Sequence, residues 1–150
     1  MKPHRRFRKF ESELFSLPVH PECSMSCLRN FLQRVWLSYG CNKVCPTVVA
    51  GRGSVFGGGL SSYEQGGRIV LARQHRCKIV LLHEVAHYIA NDPPPYHGQK
   101  FFAVYRELLF KYSNLDAMLI DNIAHACGLK IPKKIQRENP SPQRRERPKK

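Results

Sequence analysis

Residues 79–90, Ile79-Val-Leu-Leu-His83-Glu84-Val-Ala-His87-Tyr-Ile-Ala90, make an apolar run of helical length in which the strongly polar residues are two histidines and a glutamate. A helix is expected from about Gln74 to Ala90. The stretch Asn91-Asp92-Pro93-Pro94-Pro95 ends it, because proline lacks the backbone N–H and clashes with the preceding turn. Residues four apart share one helical face, so the imidazoles of His83 and His87 can converge on one cation. Glu84 stands one residue along, where its carboxylate can reach a water in an open coordination position and act as general base. Three such groups among Ile, Val and Leu side chains would be costly without partners, and a metal satisfies all three.

A catalytic zinc takes three protein ligands and leaves one position open. A histidine six residues after the second would be one source, but Pro93 occupies that place. Two candidates remain. His97 follows the proline run, which is stiff and extended and can turn the chain back towards the helix. Glu107, twenty residues after His87, has the spacing of a ligand carried by the next helix.

On the C-terminal side, the spacing of Phe101, Phe102, Tyr105, Leu108, Leu109 and Tyr112 predicts a helix from about His97-Gly98 to Tyr112. Another is expected from Leu115 to Cys127, ended by Gly128. On the N-terminal side, Thr47–Ala50 and Arg68–Ala72 are short β-branched runs. Between them, Ser54–Tyr63 with glycines at 57–59 reads as a strand broken by a bulge or hairpin. These glycines match neither the phosphate-loop nor the dinucleotide spacing, so they read as turn chemistry. Leu28, Phe31, Leu32, Val35, Trp36 and Tyr39 recur with helical period over Cys27–Tyr39, with Gly40 as the stop. The expected class is α+β: a short antiparallel sheet or hairpin packed on the metal helix, with flanking helices.

The chain has 150 residues and a formal charge of +14. That length suits one domain, and 42% hydrophobic residues suffice for a core. Residues 1–10 hold five bases and no acid, and residues 130–150 hold nine bases and two acids, which leaves +2 for residues 11–129. The expected division is therefore a basic N-terminal arm (1–10), one globular domain (11–129) and a disordered basic tail (130–150) with four prolines. Basic segments of this kind neutralise phosphates, so nucleic acid is an expected contact. No run approaches the roughly 18 apolar residues of a membrane span, and no apolar stretch follows the basic N-terminus as in a secretory signal. A soluble protein without membrane contact, located in the cytoplasm, is expected.

Six cysteines stand at 23, 27, 41, 45, 77 and 127. In an intracellular protein the first reading is reduced thiols. The pairs Cys23/Cys27 and Cys41/Cys45 also have spacings that would suit a second, structural zinc. Cys77 and Cys127 read as small core residues. His4 and His20 read as solvated, His75 as the start of the metal helix, and His125 as a core histidine or a partner of a ligand. Asp116 and Asp121 are expected to face solvent or to hold the free N–H of a ligating imidazole.

His83-Glu84-Val-Ala-His87, the proline-rich turn, and His97-Gly98-Gln-Lys-Phe101 together resemble the HExxH…HGxxF signature of SprT-like zinc metallopeptidases. They are closer still to a set of small bacterial and phage-encoded metallohydrolases. The resemblance covers roughly residues 45–112. It implies a zincin-like fold, one catalytic zinc on His83, His87 and His97, and Glu84 as catalytic base. It also implies a hydrolase that cleaves peptide bonds in a peptide or protein substrate, working in the cytoplasm (the host's, for a phage-encoded member). The zinc ribbon found at the C-terminus of many SprT-like proteins is missing, and the basic tails have no counterpart, so substrate identity does not carry over. Two other functions fit the residues: a metal-dependent hydrolase of a non-peptide amide, and a nucleic-acid-binding module whose zinc is structural. For the oxyanion, Tyr96, Tyr105 and Tyr112 stand as equal candidates. The strand around Ile69–Leu71 is expected to be an edge that pairs with an extended substrate.

Overall fold

The computed structural model describes residues 2–18, 20–51, 62–64, 67–91 and 97–131. The glycine-rich stretch at 57–59, the prolines at 93–95, Tyr96 and nearly all of the basic tail lie outside the described residues. In chain order come α1 (Pro3–Ser16), α2 (Met25–Tyr39), β1 (Thr47–Ala50), β2 (Ser62–Glu64), β3 (Arg68–Leu71), α3 (Lys78–Ala90), α4 (Gln99–Tyr112) and α5 (Ala117–Ala126). Among the described residues the result is a helix-rich mixed structure with one small sheet, compatible with the α+β class.

The first ten residues are not an arm. Pro3 starts α1 at the position where its missing N–H costs nothing. Phe7, Phe10 and Leu14, at spacings of three and four, make a stripe that is completely buried in the core. The bases Arg5, Arg8 and Lys9 point outwards from the same helix. Arg6 turns to α5 and donates from Nη1 to the Gly128 carbonyl at 3.1 Å.

Ser24 caps α2, its side chain accepting from the Cys27 N–H at 3.1 Å. Gly40 closes the helix in the left-handed conformation (φ 69°), where other residues are strained. Leu28, Phe31, Leu32, Val35 and Trp36 form its buried face.

The sheet has the order β1-β3-β2, with β1 parallel to β3 and β2 antiparallel to it. It is thus mixed rather than wholly antiparallel. β2 and β3, close in sequence, pair antiparallel, whereas β1, farther off in sequence, runs alongside β3 in the same direction. Because β3 is paired on both sides, Ile69–Leu71 is not an edge for a substrate strand. The Val48 carbonyl on the outer side of β1 accepts from Arg29 Nε at 3.1 Å. Ile69 and Leu71 are fully buried, against the layer that contains α3.

The helix that carries His83 and His87 begins at Lys78 instead of Gln74. Residues 73–75 form one 3₁₀ turn, and the Arg76 carbonyl accepts from the Cys23 N–H at 2.7 Å, a bond that draws the chain away from helical continuation. Asn91 ends α3 in the left-handed conformation (φ 47°), its N–H bonded to the His87 carbonyl. α4 packs along α3 and buries Phe101, Phe102, Val104, Tyr105, Leu108 and Leu109 in the core. Arg106 and Asp121 form a two-pronged ion pair (2.6 and 2.7 Å) that fixes α5 to α4. None of the described helices is long and apolar enough to cross a membrane.

Candidate metal centre

Nearly every side chain of α3 from Ile79 to Ala86 is buried, so the helix sits in the core on all sides, and His83 and Glu84 go into the core with it. His83 and His87 stand one turn apart on that helix, and His97 arrives just before Gly98, the N-cap of α4. All three rings aim Nε2 at one point. His83 Nε2 lies 3.0 Å from His87 Nε2 and 3.4 Å from His97 Nε2, and the three ligand atoms fall within 4.8 Å of one another. Tetrahedral zinc with Zn–N bonds near 2.05 Å would separate such nitrogens by about 3.3 Å. The His83 contacts bracket that value.

Aromatic rings fix the imidazole planes. Phe7 stacks on His97 at 4.6 Å between ring centres, with the planes 13° apart. Phe101 lies 4.3 Å from the His87 ring, and Tyr105 meets His83 edge-on at 5.4 Å. On the far side of His83, Nδ1 is buried and lies 2.5 Å from Oε1 of the Glu11 carboxylate of α1, a close charged contact that lacks the alignment of a regular hydrogen bond.

Electrostatics favour the ligating form of His87 and His97. Burial, and then the charges that His83 and His97 would carry, hold His87 down at about 3. Burial followed by His83 holds His97 at about 4. Both are therefore neutral, with lone pairs available, across the physiological range. Burial alone would lower His83 as well, but its contact with Glu11, together with the charges of Glu11 and Glu84, leaves it raised. Three imidazole nitrogens facing one another are the donor set of a borderline-soft divalent cation such as zinc. The residues therefore fit the ion. Glu84 is 5% exposed, and its charge is felt at His83 and at Tyr105.

The other candidates are employed elsewhere. Glu107 takes a hydrogen bond from Tyr39 Oη (3.3 Å) and pairs with Lys111 Nζ (2.7 Å). Tyr105 donates to the Ile79 carbonyl and Tyr112 to Ser38 Oγ, while Tyr96 lies outside the described residues. Asp116 caps α5 by accepting from the Leu119 N–H, Asp121 pairs with Arg106, and His125 is exposed. His20 is half-buried, with Nε2 2.8 Å from the Leu14 carbonyl, so it is not simply solvated.

All six cysteines are free. Cys23 and Cys27 stand at the start of α2 and Cys41 and Cys45 beyond its end, so a 15-residue helix, about 22 Å long, separates the two pairs. They cannot share an ion, and the three histidines are the group found among the described residues that could hold a metal ion. Phe7 and Glu11 are the neighbours of the centre that motif reading did not bring out. Their signal was present as an acid embedded in the Phe7, Phe10, Leu14 stripe. No family model, curated protein or solved structure matches the chain. The likeness to the SprT-like signature accordingly rests on the residues themselves.

Proposed function

We propose that this protein is a zinc-dependent metallopeptidase of zincin-like architecture, acting in the cytoplasm on a peptide or protein substrate. The observation that carries the reading is the convergence of His83, His87 and His97 through Nε2, with a buried glutamate next in sequence to the first of them. His83, His87 and His97 would hold the ion, and three protein ligands leave a position for water or substrate. When bound, zinc supplies Lewis acidity, polarising a carbonyl and lowering the pKa of a water towards about 7.

The remaining work falls to the chain. Glu84 accepts the proton of the attacking water on its carboxylate and delivers it to the leaving nitrogen. Its burial keeps that carboxylate in a low-dielectric setting where proton transfer is directional. The aromatic wall of Phe7, Phe101 and Tyr105 holds the imidazole planes still and excludes bulk water from their sides. The basic outer face of α1 and the bases of residues 132–150 supply the charge for a nucleic-acid contact, a partner that would direct the enzyme to its place of work.

Casein hydrolysis by the wild type and by Glu84→Gln, with metal content measured in parallel, tests the reading. The variant is expected to keep its zinc and to lose activity by about 10²–10⁴-fold. Hydrolysis that survives the substitution or a chelator contradicts it. Chelator-insensitive DNA binding without any cleavage would favour a structural zinc in a binding module.

A further inference from the structure

α1 lies outside the stretch that carries the metal motif, yet it touches the centre twice. Phe7 lies flat against His97, and the Glu11 carboxylate meets Nδ1 of His83. Glu11 sits one turn after Phe7, and Phe10 and Leu14 flank it on the same buried stripe. A carboxylate placed there loses most of its hydration, which is costly unless it has a partner. The side chains in the pair are 11% exposed for His83 and 17% for Glu11.

The chemistry of the contact sets the proton. An ionised carboxylate only accepts hydrogen bonds, so its closeness to Nδ1 of His83 favours the hydrogen on that nitrogen. Nε2, which faces the other two rings, is then left with a bare lone pair. A histidine free to choose would place its proton on either nitrogen, and the Nε2–H form cannot ligate through Nε2. We propose that Glu11 is a positioning residue of the metal centre: it fixes the tautomer and ring orientation of His83 and so makes zinc affinity depend on the docking of α1. This inference rests on the reading that the three histidines hold zinc. α1 is in turn fastened by its buried stripe and by the Arg6–Gly128 hydrogen bond, which ties its orientation to α5.

The test uses the full chain with Glu11→Ala, Glu11→Gln and Glu11→Asp. Zinc affinity is measured by competition with a chromophoric chelator, and the His83 tautomer by long-range ¹H–¹⁵N spectra of the metal-free chain at alkaline pH. Glu11→Ala is expected to weaken zinc binding by about 10–100-fold, as loss of an outer partner of a ligating histidine does. It should also shift His83 towards the Nε2–H tautomer. Glu11→Gln retains an accepting oxygen without the charge and falls between Glu11→Ala and the wild type, and it serves as the reporter if Glu11→Ala does not fold. Glu11→Asp restores part of the affinity. Affinities within twofold of wild type for the folded variants overturn the inference while leaving the metal centre intact. Weaker binding with an unchanged tautomer overturns it as well, since loss of packing alone would do that. A wild-type chain that binds no zinc overturns both this inference and the reading on which it rests.

Discussion

Helices α3 and α1 meet at His83, and they advertise themselves in opposite ways. α3 is apolar almost all round, so its few polar residues stand out as chemistry. α1 is crowded with bases, and its three core residues are spread thinly enough to pass for a charged arm. Total charge describes what a helix shows to water, whereas the spacing of a few large apolar residues describes what it buries. In this molecule the two descriptions point in different directions. The helix with the least conspicuous stripe supplies a wall and a carboxylate to the centre that the other helix announces.

The sharpest way to break the comparison is to remove a ligand from α3. His87→Ala is expected to abolish stoichiometric zinc binding, an effect well beyond the roughly 100-fold limit for an outer partner. Equilibrium dialysis reads it, and zinc retained at full stoichiometry would show that α3 is not the metal helix. Next in size is the core role of α1. Phe10→Ala should lower unfolding free energy by about 3–5 kcal/mol, as large-to-small changes at fully buried aromatics do. A denaturant midpoint that did not move would restore the view of residues 1–10 as an appendage.

A smaller effect separates the two helices by pH. In the metal-free chain His87 and His97 sit below the ordinary histidine value, so the unfolded chain takes up protons there that the folded one refuses. Their contribution to stability is present above about pH 6.5 and is lost as pH falls through about 4 and 3. His83, raised by Glu11, acts in the other direction, but its contribution is complete once pH drops below the unfolded value. The denaturant midpoint should therefore fall between about pH 6 and 4. A His87→Ala/His97→Ala chain should lose that slope. The smallest effect is the control: Phe15, 41% exposed on the same helix as Phe10, should tolerate Phe15→Ala within about 0.5 kcal/mol. Similar costs for Phe10 and Phe15 would mean that α1 has no inner face.

Local chemistry explains which features could be read in advance. Gly40 stops α2, Asn91 ends α3, and the aromatic and leucine face of α4 follows its helical period, all from residues adjacent in sequence. The three histidines were legible because metal ligation demands particular side chains at particular spacings. Strand pairing was not, since whether β1 lies parallel to β3 depends on where the intervening chain returns. The early part of the expected metal helix, Gln74–Cys77, gave way to a tertiary bond from Cys23 to the Arg76 carbonyl. Glu11 was hidden for the same kind of reason, because its partner lies 72 positions away.

Metal content of the purified, dialysed chain, measured by mass spectrometry beside a His83→Ala/His87→Ala chain, tests the central claim most directly. One zinc per wild-type chain and none in the double variant is the expected result. A folded wild-type chain without zinc, or a double variant that keeps it, would contradict the claim that His83, His87 and His97 form the metal centre.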